Sequence, residues 1–477
     1  MRLLEAEAAA RLGEALRGFD RAALRRVYGP DAVDAADRGD YRALLAQCGD
    51  DRLGVWTRLF VIGVEVATEA AEAALAPFTV GEAIRCGLLV SGGYEVIAGW
   101  GAQFEGGRVL FSDQRPNTTG GRSRQHVLGV GGASRLLLDL TPREGVQSAL
   151  DVGTGCGVQA LALNAGTVTA TDLSERALAF AALNAQVGGT ELELLQGDLL
   201  APVEGRRFDL VVANPPFVIA TPGSGWTYRD AGREADGVAA ELAAASTSIL
   251  NPGGDMRFLA NWLHRKGEAW GERIAGWFPE TGARVWAVER EVLDPLDYVR
   301  TWQRDSGEDH DADQAAAWLD WFDVNGVEGV GFGFIAVRRI DAPTEVVCEE
   351  ARHAVETPWR DRIADWFALR EADLEPETLW TAKLRVAEGV ALQQAAAIGE
   401  EGWDVDRQWL QQAEGMRYAE EIDPLVVAFM GACTGETEVR LQVQLLADTY
   451  GADPAMLYAQ LYPIIHRLTE RGFLRLA

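Results

Sequence analysis

Lysine is nearly missing from this chain: Lys266 and Lys383 are the only two in 477 residues. Arginine carries the rest of the positive charge, as expected of a GC-rich coding sequence, because lysine codons are AT-rich. Acidic residues outnumber Lys and Arg by 72 to 44, for a net charge of −28. So acidic a chain repels polyanions at long range and lacks the broad basic footprint that dominates duplex binding. A local basic cleft stays compatible with it. Cysteine is also scarce. Cys48, Cys86, Cys156, Cys348 and Cys433 are odd in number and irregularly spaced, without a CxxC pair. That argues against a disulfide framework or a zinc site and fits a reduced, cytoplasmic protein. The five histidines are scattered, so no metal is expected. No apolar run approaches the roughly 18 to 20 residues that span a bilayer. Met1–Ala10 is acidic with helical spacing, unlike a signal peptide. No internal repeat is present.

What is there suggests several folding units, since single cores rarely grow beyond about 250 to 300 residues. Residues 1–112 read as an N-terminal accessory domain. Helical spacing over Arg2–Arg17, Arg21–Val27 and Leu53–Leu75 gives way to apolar runs around Gly87–Val90, Tyr94–Trp100 and Arg108–Phe111. Helices followed by a hairpin outline a winged-helix fold; a helical cap with a hairpin is the alternative. Residues 113–132 are a Gly- and Arg-rich connection that includes His126.

From 133 to 341 strand and helix patterns alternate, which predicts an α/β domain with a mostly parallel sheet. Val146–Val152, Val168–Thr171, Glu191–Leu195, Phe208–Ala213 and Met256–Leu263 read as strands. Ala283–Glu291 and Val330–Arg339 read as late strands. Gly157–Leu163, Glu175–Gln186 and Gly237–Ile249 read as helices, and 294–325 as a helical insertion. Residues 342–477 read as an acidic, mainly helical C-terminal domain. Its end suggests three helices closed by a strand at Phe473–Leu476, a second winged-helix-like unit. Pro463 should kink or interrupt the last helix.

Four motifs carry chemistry, each at the end of a predicted strand. Asp151-Val152-Gly153-Thr154-Gly155-Cys156-Gly157 is a glycine loop after an apolar strand, where an open α/β sheet binds its ligand. Its GxGxG spacing differs from the GxGxxG of dinucleotide sites. An Asp at the strand end suits the amino group of a zwitterionic ligand better than a pyrophosphate. Asp172 ends the next strand, placed to accept both hydroxyls of a ribose. Asp198 follows the third, where an acid commonly faces an adenine amine. The fourth motif, Asn214-Pro215-Pro216-Phe217, is the most specific. Two prolines end the ladder and fix the backbone. The Asn214 side chain and the Pro215 carbonyl then offer two acceptors for a planar NH2 group, with Phe217 able to stack on it. A conjugated nitrogen of that kind is a poor nucleophile, and hydrogen bonds that favour its pyramidal form activate it. Tyr228 and Arg229 follow in a loop expected to pass over this site.

Together these motifs resemble the N5-glutamine and N6-adenine class of methyltransferases over about Gly129–Arg265. The release-factor glutamine methyltransferases and the small-domain RNA methyltransferases with NPPF look most similar. The resemblance implies a Rossmann-like class I core that uses S-adenosylmethionine. It implies that Asp151, Gly153, Thr154, Gly155, Gly157, Asp172, Leu173, Asp198 and Asn214 hold that cofactor. Asn214, Pro215 and Phe217 would handle the acceptor. The chain departs from the glutamine group in ending the fourth motif with Phe, where Tyr is common. Its flanks, 1–112 and 342–477, match nothing in that group. The expected acceptor is a protein glutamine, as in release factors. A nucleobase amine in RNA or DNA, or a metabolite, is the alternative.

Overall fold

The computed structural model describes residues 4–114, 126–216, 218–219, 235–306, 311–372, 374–399 and 402–477. The chain divides into two compact units, Met1–Glu350 and Ala351–Ala477.

The first unit is built on an eight-stranded sheet. In chain order its strands are β1 (Val146–Val152), β2 (Ala165–Asp172), β3 (Glu193–Gln196), β4 (Phe208–Ala213), β5 (Leu250–Arg265), β6 (Thr281–Leu293), β7 (Val327–Pro343) and β8 (Glu345–Glu350). Across the sheet they run 3-2-1-4-5-7-6-8. Neighbours are parallel except at β7, which is antiparallel to both β5 and β6. This is the α/β core with a mostly parallel sheet that the alternating pattern predicts. Central parallel strands are covered on both faces and therefore read as continuous apolar runs. Ala149, Leu150 and Val152 of β1 and Val211, Val212 and Ala213 of β4 are all fully buried.

Among the helices, α1 (Gly132–Leu140) precedes β1 and α2 (Glu175–Gly188) follows β2. The Ser174 side chain caps α2 by accepting from the Ala177 amide, and Gly189 ends it in the left-handed region. No full helix follows the glycine loop. The expected Gly157–Leu163 helix is instead a set of turns ending in a 3-10 turn at Ala160–Ala162. Only seven residues separate Gly157 from β2, and the Asp151 carboxylate holds the Ala160 amide, so the chain turns back at once. The insertion between β6 and β7 forms α3 (Pro295–Ser306) and α4 (Ala312–Val324).

The N-terminal residues share their hydrophobic core with α2 and with Cys156, Val158 and Leu161. A helix at Arg52–Ile62 is followed by a strand at Val66–Ala67, helices at Thr68–Leu75 and Val80–Cys86, and a hairpin of Leu89–Ser91 with Glu95–Ala98. Val66–Ala67 pairs with the second hairpin strand. A second hairpin, Gly101–Glu105 with Arg108–Ser112, leads to the site.

In the second unit helical residues outnumber strand residues, as expected, but strands are also present. Its described residues contain two three-stranded sheets. One is antiparallel, made of Val390–Ile398, Trp403–Gln412 and Ala419–Glu421. Val390–Ile398 is exposed along most of its length, so no alternation of buried and exposed residues marked it. The other sheet sets Lys383–Val386 between Thr434–Glu438 and Leu474–Leu476. It packs with helices Pro424–Ala432, Val439–Tyr450 and Pro454–Glu470. Pro463 does not interrupt the last helix. It sits on the exposed face, as does Ala459, whose carbonyl loses its amide partner to the proline. The β8 strand also moves the boundary expected at 341 to Glu350.

Candidate active site

The four motifs converge because of strand register. Val152 is the ladder partner of both Thr171 and Ala213, and Asp172 is the partner of Gln196. Gly153, Asp172, Gln196 and Asn214 therefore stand at one level at the ends of neighbouring strands. The order of strands reverses between β1 and β4, which opens the crevice where such sheets bind ligands. A cavity of about 1640 Å3 lies there. Gly153, Thr154, Gly155, Asp172, Leu173, Asp198, Asn214 and Pro215 all border it.

Gly153, Gly155 and Gly157 have φ of 72, 56 and 86°, a region that L side chains avoid. A Cβ on Gly155 would meet nothing, because that glycine faces open space. A Cβ on Gly157 would lie 3.1 Å from the Ala181 Cβ, so this glycine admits α2 and does not border the cavity. The amides of Gly153 and Thr154 both donate to the Thr171 carbonyl at 2.9 Å, and that of Gly155 donates to the Asp172 carboxylate at 2.9 Å. The other Asp172 oxygen accepts from the Ser174 amide at 2.8 Å. Each oxygen has a further lone pair for a ligand hydroxyl. Burial raises the Asp172 pKa, against the lowering by the Ser174, Gly155 and Leu173 amides. Leu173 beside it is an apolar side chain 56% exposed, the surface that a planar ring would cover. Asp198 is exposed at the rim.

Asp151 behaves differently from the expectation. It is 1% exposed and is not part of the cavity wall. Its Oδ2 accepts from the Thr154 hydroxyl at 2.6 Å and from the Ala160 amide at 3.0 Å. Burial pushes its pKa up to about 7. Its position is that of a brace inside the loop.

Asn214 is half-buried, and its Oδ1 is buried with no hydrogen-bond partner among the described residues. Pro215 is buried beside it. Phe217, Tyr228 and Arg229 lie outside the described residues. Past the motif, the Ile219 amide donates to the Tyr298 hydroxyl at 2.7 Å, and the Trp318 indole donates to the Ile219 carbonyl at 2.8 Å. The insertion helices thus pin the chain that leaves the site. Thr301, Trp302 and Phe332 complete the wall on that side.

Two functional positions escaped the sequence reading. Asn184 on α2 is 2% exposed. Its side chain accepts from the Phe111 amide at 2.8 Å and donates to the Phe111 and Cys156 carbonyls at 2.9 and 2.8 Å. It ties the glycine loop to the N-terminal hairpin. The signal was a lone amide four residues after Phe180 on an apolar stripe. Gln159 borders the cavity and is 3% exposed, the one polar residue in the run Val158–Leu163.

Comparison with known proteins agrees with this geometry. Residues 128–270 match the family described as "Methyltransferase small domain".

These residues are similar to a methyltransferase small domain.

The glycine loop and the Asp172 carboxylate suit S-adenosylmethionine, the cofactor that this similarity implies. Residues 16–99 and 357–476 match two domains of unknown function, DUF7059 and DUF7782. A release factor glutamine methyltransferase of Deinococcus radiodurans is 35% identical over 159 residues, 30% of this chain and 56% of the relative. A ribosomal RNA small subunit methyltransferase C of Citrobacter koseri is 30% identical over 224 residues, 44% of this chain and 59% of the relative. The chain thus spans little more than half the length of these relatives. A solved ribosomal protein L11 methylase from Lactobacillus delbrueckii subsp. bulgaricus shares 29% identity over 27% of this chain and 57% of that one, with a TM-score of 0.21. Among the described residues, no helix is long and apolar enough to cross a membrane, and no His, Cys, Asp and Glu side chains gather into a metal site.

Proposed function

We propose that this protein is an S-adenosylmethionine-dependent N-methyltransferase whose acceptor is a planar NH2 nitrogen, that of a protein glutamine. The observation that carries the reading is Asn214: a buried, unpartnered oxygen at the end of β4, on the cavity wall beside the glycine loop. An orphan buried acceptor calls for a donor, and an NH2 group supplies one. When bound, S-adenosylmethionine supplies an electrophilic methyl group. Asp172 holds the ribose, Leu173 and Asp198 the adenine. Asn214 Oδ1 and the Pro215 carbonyl take the two N–H bonds, turning the nitrogen lone pair out of conjugation and into line for transfer. No strong base is required, because the proton becomes acidic once the nitrogen is quaternised and leaves to water. Cavities for single small ligands measure roughly 300 to 1000 Å3, so about 1640 Å3 leaves room for cofactor and acceptor together. The net charge of −28 favours a protein over a polyanion.

A second reading, a nucleobase amine, rests on the ribosomal RNA methyltransferase, whose match covers more of the chain than the release-factor one. Tritiated S-adenosylmethionine with cell lysate separates the two: protease-sensitive label supports glutamine, nuclease-sensitive label the base. Asn214→Ala should cut single-turnover rates on the labelled acceptor on the order of 100- to 1000-fold and leave cofactor affinity near that of the parent. A parental rate in the variant would defeat the planar-nitrogen mechanism.

A further inference from the structure

We propose that Gln159 holds the amino-acid end of S-adenosylmethionine, the place that the motif alone suggests for Asp151. The proposal rests on the cofactor and concerns residues of this chain that bind it.

The Gln159 side chain is oriented by one bond. Its Nε2 donates to the Ser134 carbonyl at 2.8 Å. A carbonyl only accepts, so the nitrogen of the amide must be the atom facing Ser134. The other end of the amide is then an oxygen. That oxygen is buried and has no partner among the described residues. A side chain 3% exposed, on the wall of a cavity, with a fixed and unsatisfied acceptor, is built for a donor. Asp151 does not border the cavity, and its Oδ2 is taken by Thr154 and Ala160.

The surroundings say which donor. Gly131, Gly132, Ala133 and Ser134, at the start of α1, border the same cavity. The N-cap of α1 is Gly131, with no side-chain cap. The first amides of a helix lack internal partners, and the helix dipole favours an anion there. An acceptor at Gln159 beside free amides at α1 matches an ammonium next to a carboxylate, the head of an α-amino acid. The position along the sheet agrees. Asp198 and Asp172 follow β3 and β2, so adenine and ribose occupy that side. The loop after β1 lies between that side and Gln159, so Gln159 would hold the opposite end of the ligand.

Binding calorimetry tests this without turnover. The ligands are S-adenosylhomocysteine, its analogue lacking the α-amino group, and 5′-methylthioadenosine, which lacks the amino-acid end. Gln159→Met should weaken S-adenosylhomocysteine about tenfold and leave methylthioadenosine within about twofold. Methylthioadenosine also reports on folding of the variant. The deaminated analogue should bind the parent about tenfold more weakly than S-adenosylhomocysteine, and the variant should no longer tell the two apart. Equal weakening of all three ligands in the variant would make Gln159 merely structural and overturn the proposal, as would an unchanged S-adenosylhomocysteine affinity. A parent that binds none of the three would instead remove the cofactor assignment on which the proposal stands.

Discussion

Replacing Asn184 by Leu is the most informative structural perturbation. The volumes are similar, so the change acts through hydrogen bonds. Three are lost, all at 2.8 to 2.9 Å: one from the Phe111 amide and two to the carbonyls of Phe111 and Cys156. The residue is 2% exposed, so water does not replace them. A buried backbone group left without a partner costs about 1 to 3 kcal/mol. The amide carries the larger share, because each carbonyl keeps a second lone pair. A total of about 3 to 5 kcal/mol follows, a large part of the roughly 5 to 15 kcal/mol that holds a typical domain folded. The chain has two compact units, so one global melting curve does not isolate the effect. Amide hydrogen exchange does. Protection of Phe111 should fall about a hundredfold or more. Protection should also fall in the glycine loop, which hangs on the same side chain through Cys156. The second unit should be unaffected. If Phe111 exchanged at the parental rate in the variant, the account of Asn184 as the tie between hairpin and loop would be wrong.

Further outcomes follow from the site. Asp172→Ala should weaken S-adenosylhomocysteine about 10- to 150-fold by calorimetry, the effect of losing a charge-assisted hydrogen bond; unchanged affinity would take Asp172 out of the site. Asp151 binds its proton more tightly in the fold than in the unfolded chain, with a pKa of about 7 against the ordinary 3.8. Its contribution to stability is therefore complete below pH 3.8, declines as pH rises and is lost above 7. Asp151→Asn mimics the protonated form, so its Tm advantage over the parent should grow from pH 5 to pH 8; a constant difference would contradict this. The Cys156 thiol is 2% exposed, and burial pushes its pKa up to about 11. It stays protonated, and Cys156→Ala should keep most of the single-turnover rate. Loss of rate with normal cofactor binding would point to a covalent route.

Much of the core was legible because central parallel strands are buried on both faces and end in glycine, proline or acid. β1 and β4 announce themselves in that way, and the register of the sheet brings their ends together. Other features left no local mark. Val390–Ile398 is exposed on both faces and rich in alanine, so neither period shows. The brace made by Asp151 depends on a chain that doubles back within nine residues to offer the Ala160 amide. Asn184 bonds across 73 positions to Phe111, and Gln159 across 25 to Ser134. Contacts at such separation are set by tertiary packing, and in the sequence they show only as a polar residue in an apolar run.

The shared register of β1, β2, β3 and β4 also has a bearing on how this architecture can vary. Each motif lies at or within two residues of a ladder pair, so its height above the sheet is counted in peptide units. A single inserted residue within β4 would carry Asn214 about 3.3 Å along the strand and turn it to the opposite face. A dozen residues added between β6 and β7 change neither. Insertions are therefore tolerated between strands and punished within them. The sheet acts as a ruler, and lineages are free to lengthen everything except its graduations.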